Sequence, residues 1–141
     1  MIQIVYVSAA LEPFSLSALD TLLVKARARN TFHKVTGMLL YHSGSFLQVL
    51  EGPVDSVELI FNSIRRDPRH TDTKILNTQT VVRREFADWS MGFLDVSSWP
   101  FDTPGKIDYR LALMKLPDAP SAAKRYIQLF HQGLCRQAVT A

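Results

Sequence analysis

The chain has 141 residues, 47% hydrophobic and 21% charged, enough for one domain that buries a core without disulfide or metal staples. Its one cysteine, Cys135, excludes a disulfide framework and any multi-cysteine metal centre; no apolar run reaches the roughly 20 residues of a membrane span, and no basic leader or cleavage site opens the chain, so a reducing cytoplasmic setting is expected. The formal charge is +3, but residues 1–120 hold 13 basic and 13 acidic side chains, leaving the excess in Lys124, Arg125 and Arg136; a neutral body without a cationic face argues against direct nucleic-acid binding.

Ile2 to Ser8 is β-branched and apolar on both faces, the pattern of a central strand. Ser17-x-x-Asp20 marks a helix start, and Leu19, Leu22, Leu23, Ala26 and Asn30 then share one face, with the helix expected to end near Asn30. Val35 to Tyr41 reads as a second strand, His42-Ser43-Gly44-Ser45 as a hairpin turn and Phe46 to Leu50 as a third strand. Gly52-Pro53 opens a second helix with the stripe Val54, Val57, Ile60, Phe61 and Ile64, and Asp67-Pro68 stops it. Lys74 to Val82 and Met91 to Val96 are expected as strands four and five. The order βαββαββ predicts an α+β, ferredoxin-like sheet with both helices on one face. Residues 97–105 read as a linker. A short helix through Ile107, Leu111 and Met114 follows, and then a last helix capped by Ser121 that carries Ala123, Tyr126, Ile127, Phe130 and Leu134. These two tail helices are expected to cover the other sheet face. The division is therefore a core at residues 1–96 and a helical extension at residues 97–141.

Three polar residues fall where the pattern is apolar: Tyr6 in the first strand, Asn30 on the first helix stripe, and Gln48 between Phe46 and Leu50. Buried amides need partners. Taken singly, each has an ordinary role as packing, cap or edge residue. Together they suit a planar ligand whose rim alternates carbonyl and N–H groups. Asp67-Pro68-Arg69-His70 is a second polar cluster, either a capped loop or a ligand contact. No metal site is expected, because His33, His42, His70 and His131 have no ligand spacing. Nucleotide-loop and nucleophile-elbow motifs are absent. A ferredoxin-like hydrolase of acylphosphatase type and an RNA-binding module of RRM type remain as alternative functions for such a sheet.

Five blocks in order then carry a specific resemblance: Tyr6-x-Ser8; Asn30 with Thr36-Gly37-Met38-Leu39-Leu40-Tyr41; Phe46-Leu47-Gln48-Val49-Leu50-Glu51-Gly52-Pro53; Asp67-Pro68-Arg69-His70; and Arg84-x-Phe86-x-x-Trp89-x-Met91. Over about residues 2–95 the sequence resembles a BLUF domain, a flavin-binding blue-light sensor and not an enzyme. The resemblance implies a flavin ring between the two helices over the sheet. FAD is the family default, with FMN or riboflavin as other candidates. Cofactor-binding roles are implied for Ser8, Arg29, Asn30, Phe46, Gln48, Asp67, Arg69 and His70, and signalling roles for Trp89 and Met91. Arg29 stands where other members often carry asparagine or histidine. The implied photochemistry starts from Tyr6, which supplies an electron and a proton through Gln48 to the excited flavin. After recombination the Gln48 amide has rotated or tautomerised, and a stronger hydrogen bond to the flavin C4 carbonyl gives a small red shift. About 45 residues follow the core, too few for an output domain. The expected partner is therefore a separate output protein, such as a cyclic-nucleotide enzyme or a transcription regulator, or an oligomer of the chain itself, with no nucleic acid and no membrane involved.

Overall fold

The computed structural model describes residues 1–12, 14–42, 44–87, 90–95 and 121–131. The apolar opening run is why β1 (Ile2–Ala10) lies inside the sheet. It pairs antiparallel with β3 (Ser45–Gly52) on one side and with β4 (His70–Thr80) on the other. β2 (Thr36–His42) pairs antiparallel with β3, and β5 (Gly92–Asp95) adds in parallel to the outer edge of β2. The sheet order is β4-β1-β3-β2-β5. Helix α1 (Leu16–Phe32) joins β1 to β2, and α2 (Val54–Arg65) joins β3 to β4. The expected βαββαββ order is therefore observed. Ser43 lies outside the described residues; in the turn it shares, Gly44 takes φ +86°, a left-handed value that suits the two-residue connection of β2 and β3.

Strand alternation sends side chains to opposite faces. Ile4, Tyr6, Leu39, Tyr41, Phe46 and Leu50 face one way and pack with Leu19 and Leu23 of α1 and with Val57, Ile60 and Phe61 of α2. Val5, Val7, Met38, Leu40, Leu47 and Val49 face the other way. Phe86 and the third described helix, α3 (Ala122–His131), cover them through Ala123, Ile127 and Phe130. Ser121 caps α3 as expected, its Oγ accepting from Lys124 N at 3.0 Å. One tail helix thus covers the second face; the other, at residues 107–114, lies outside the described residues. Among the described residues no helix is long and apolar enough to cross a membrane.

Several element ends differ from the expectation. Ser15, not Ser17, caps α1: its backbone is extended and its side chain accepts from Ala18 N. Two serines two positions apart offer the same local capping chemistry, and the extended Ser15 backbone makes the earlier one the cap. The helix continues past Asn30 to Phe32, and Lys34 takes the left-handed conformation at φ +59°. Asn30 is therefore interior to the helix and not its cap. β4 begins at His70, inside the expected loop, because its first residues are exposed or half-buried and carry no apolar alternation. β5 begins at Gly92, one residue after Met91.

Candidate functional site

The register sets the centre of the site. Tyr6 on β1 lies directly opposite Gln48 on β3, and the β2 partner of Gln48 is Leu39. Side chains directly opposite one another project from the same face. The Tyr6 hydroxyl donates to Gln48 Oε1, and both residues are buried. Gln48 Nε2 donates to Met91 Sδ at 3.6 Å, a weak bond at the entry to β5. The Tyr6 ring packs edge-to-face with Phe61 of α2, centroids 5.1 Å apart, a contact that helps hold the phenol in place.

Over this pair, between α1, α2 and the sheet, opens a cavity of about 350 Å³, within the usual range for small-molecule sites. Its apolar walls are Phe14, Leu22, Ala26, Leu39, Phe46 and Ile64. Its polar lining is Tyr6, Ser8, Lys25, Arg29, Gln48, Ser63, Asp67, Arg69 and His70. Of the eleven residues assigned roles from the sequence, eight therefore share one cavity or its floor. Met91 reaches the site from outside the lining, and Trp89 lies outside the described residues. Asn30 is fully buried beside the cavity, its Nδ2 donating to Ser90 O at 2.7 Å and its Oδ1 accepting from Arg29 Nε at 3.4 Å.

Burial pushes the Tyr6 hydroxyl well above the ordinary tyrosine range, and the charge of Arg29 pulls it partly back. Burial likewise lowers the Arg29 guanidinium, offset in part by Tyr6. At the opposite rim Asp67 receives Arg69 Nε at 3.0 Å, Arg69 Nη2 at 2.5 Å and the Arg69 backbone N–H at 2.9 Å. The side-chain bond from Arg69 holds the Asp67 carboxyl below its usual range. The His70 ring meets Ile64 O through Nε2. A carbonyl oxygen only accepts, so Nε2 is the donor in this contact. The Nδ1 of the same ring is buried and has no partner among the described residues.

A flavin fits this lining. The apolar walls suit the faces of a ring system, while the second N–H of Gln48, the Arg29 guanidinium and the free His70 Nδ1 suit a rim of carbonyls and N–H groups. Lys25 and Phe14 were not singled out from the sequence. Lys25 sits four residues before Arg29, so helical spacing places both on one side. Phe14 follows no periodic pattern and is held by its N–H, which donates to Tyr41 Oη at 3.1 Å, and by a T-shaped contact with Phe46.

Residues 1–92 match the BLUF family, described as sensors of blue-light using FAD. The chain is 38% identical over 87 residues to the photoactivated adenylate cyclase subunit beta of Euglena longa, covering 61% of the chain and 10% of the cyclase subunit. It is 37% identical over 71 residues to the blue light- and temperature-regulated antirepressor BluF of Escherichia coli strain K12, covering 50% of the chain and 18% of the antirepressor. Among solved structures, Klebsiella pneumoniae BlrP1 with FMN and cyclic diGMP aligns with a TM-score of 0.79 at 27% identity, over 93% of the chain and 34% of BlrP1. The matched segments thus span less than a fifth of these two curated relatives. With the cavity, the strand order and the family match in agreement, the chain belongs to the BLUF family of blue-light sensors that use FAD.

Proposed function

We propose that this chain acts as a cytoplasmic photoreceptor whose photoactive pair is Tyr6 and Gln48, with residues 1–96 as the sensing core and residues 97–141 as linker and signalling extension. The observation that supports this most directly is the buried hydrogen bond from the Tyr6 hydroxyl to Gln48 Oε1 at the cavity floor. A bound flavin supplies blue-light absorption and, once excited, a strong oxidant. Ser8, Arg29, Phe46, Gln48, Asp67, Arg69 and His70 would hold it, with Asn30 at the pyrimidine edge.

The residues then do the following. The Tyr6 phenol is neutral at physiological pH, and burial moves its ionisation further up. A phenol that gives up an electron becomes a strong acid, so its proton must leave with the electron. The only hydrogen bond the hydroxyl makes among the described residues leads to Gln48 Oε1. The amide takes that proton at oxygen, and return of electron and proton restores the phenol. By then the amide has rotated or exchanged tautomers, which swaps its donor and acceptor ends. The Nε2–Sδ contact to Met91 no longer matches, and β5 receives the change. Met91 and Trp89 are the proposed signalling residues. The output is a separate protein, a cyclic-nucleotide enzyme or a transcription regulator by analogy with the cyclase and antirepressor relatives, or the chain's own oligomer.

The purified, flavin-loaded chain should give a reversible red shift in a light-minus-dark spectrum. Gln48→Leu should bind flavin and fail to shift, and Tyr6→Phe should lose the reversible shift. A normal photocycle in either variant removes that residue from the mechanism.

A further inference from the structure

The chain in front of β5 is fastened to α1 at two points. Arg27 Nε donates to Met91 O at 3.0 Å, and Asn30 Nδ2 donates to Ser90 O at 2.7 Å. Three residues apart, Arg27 and Asn30 project from one side of the helix. In extended backbone, successive carbonyls point in opposite directions. Two consecutive carbonyls can meet one helix only where the chain bends, and Ser90 and Met91 form a bend, with β5 starting at Gly92.

That bend turns the Met91 side chain inward. Met91 is 1% exposed, with its Sδ on Gln48 Nε2. An amide-to-thioether bond is weak and is easily given up, so something else must hold the methionine in place. The backbone bond from a guanidinium is charge-assisted and directional, and so stronger than the contact it positions. Arg27 lies outside the cavity lining and carries none of the sensor roles assigned above.

We propose that Arg27 is a positioning residue of the photoswitch. By holding Met91 O it keeps the thioether against Gln48 in the resting state, and it governs how fast that contact is re-made after illumination. Because this rests on the light-sensing function proposed above, its test includes a measurement made entirely in the dark.

Arg27→Met removes the donors and keeps the apolar stem. In the flavin-loaded variant, flavin binding and the size of the red shift should match the parent. The thermal return to the dark state should change by about tenfold or more, the scale set by one hydrogen bond to a charged group. In methyl-labelled protein kept dark, the Met91 methyl resonance should move or split. Arg27→Lys, which restores a cationic donor, should recover most of the parental rate. A parental return rate together with an unmoved Met91 resonance overturns the proposal. If Arg27→Met fails to fold, the parent labelled with carbonyl-13C methionine decides. Its Met91 carbonyl band should shift on illumination, and a stationary band overturns the proposal. A parent without any light response overturns the sensor function and the switch role with it, while the dark Met91 resonance still reports whether Arg27 holds the bend.

Discussion

In the proposed photocycle Tyr6 reacts as a neutral phenol, and burial tightens its hold on the proton. A tyrosine in water ionises near pH 10. In this fold burial raises that value well above 10, and Arg29 offsets only part of the rise. A group whose folded pKa is raised contributes stability that is complete below the unfolded pKa and is lost as pH climbs through the folded one. The chain should therefore lose stability above about pH 10, and Tyr6→Phe should lose less. The measurement is urea unfolding between pH 8 and 11, parent against variant. Equal slopes would mean that the phenol is not protected. Tyr6 and Gln48 were legible in the sequence as polar groups in apolar alternation. Glu51 was not, although it is fully buried. Its carboxylate accepts from Gln3 Nε2, Thr36 Oγ1 and the backbone N–H groups of Glu85 and Phe86. Those donors lie as far as 48 residues away along the chain, and no local pattern announces that they converge.

At the scale of elements, strand contacts limit what each position can hold. Gly37 in β2 has no space for a side chain, since a Cβ there would stand 1.9 Å from Val49 O on β3. Gly44 has open space but sits at φ +86°. The two glycines are required for different reasons, and alanine separates them. Gly44→Ala should cost about 1–2 kcal/mol for a left-handed backbone. Gly37→Ala must push two paired strands apart and should cost about 3 kcal/mol or more. Chemical denaturation of both variants checks the order, and equal losses would contradict the β2–β3 contact. The existence and type of the described elements were readable from periodicity, because one buried face imposes a period of two or of 3.6. Their ends were less readable. β4 starts at His70 and runs into Thr71-Asp72-Thr73, where Thr71 and Asp72 are exposed and Thr73 is only half-buried, so hydropathy gives no signal there.

For the whole molecule, the site occupies one face of the sheet and its stability depends on the other. The site face is closed by α1 and α2 over the cavity, whereas Val5, Val7, Leu40 and Val49 are closed by Phe86 and by α3, an element beyond the family-matched residues 1–92. The start of α3 is also tied to the core by Ser121 Oγ, which donates to Glu85 Oε2 at 2.7 Å, while Glu85 Oε1 accepts from Gln3 Nε2. Phe130 is fully buried in this second face. Phe130→Ala should destabilise the chain by about 3–5 kcal/mol, the usual cost of truncating a core phenylalanine. Against a total of about 5–15 kcal/mol for a domain, that is a large fraction. Because Tyr6, Gln48 and Met91 belong to the opposite layer, the surviving folded protein should keep its red shift at low temperature while its thermal midpoint falls. An unchanged midpoint would show that α3 does not close this face. A lost red shift in protein that is still folded would show that the two layers are coupled through the sheet and not separated by it.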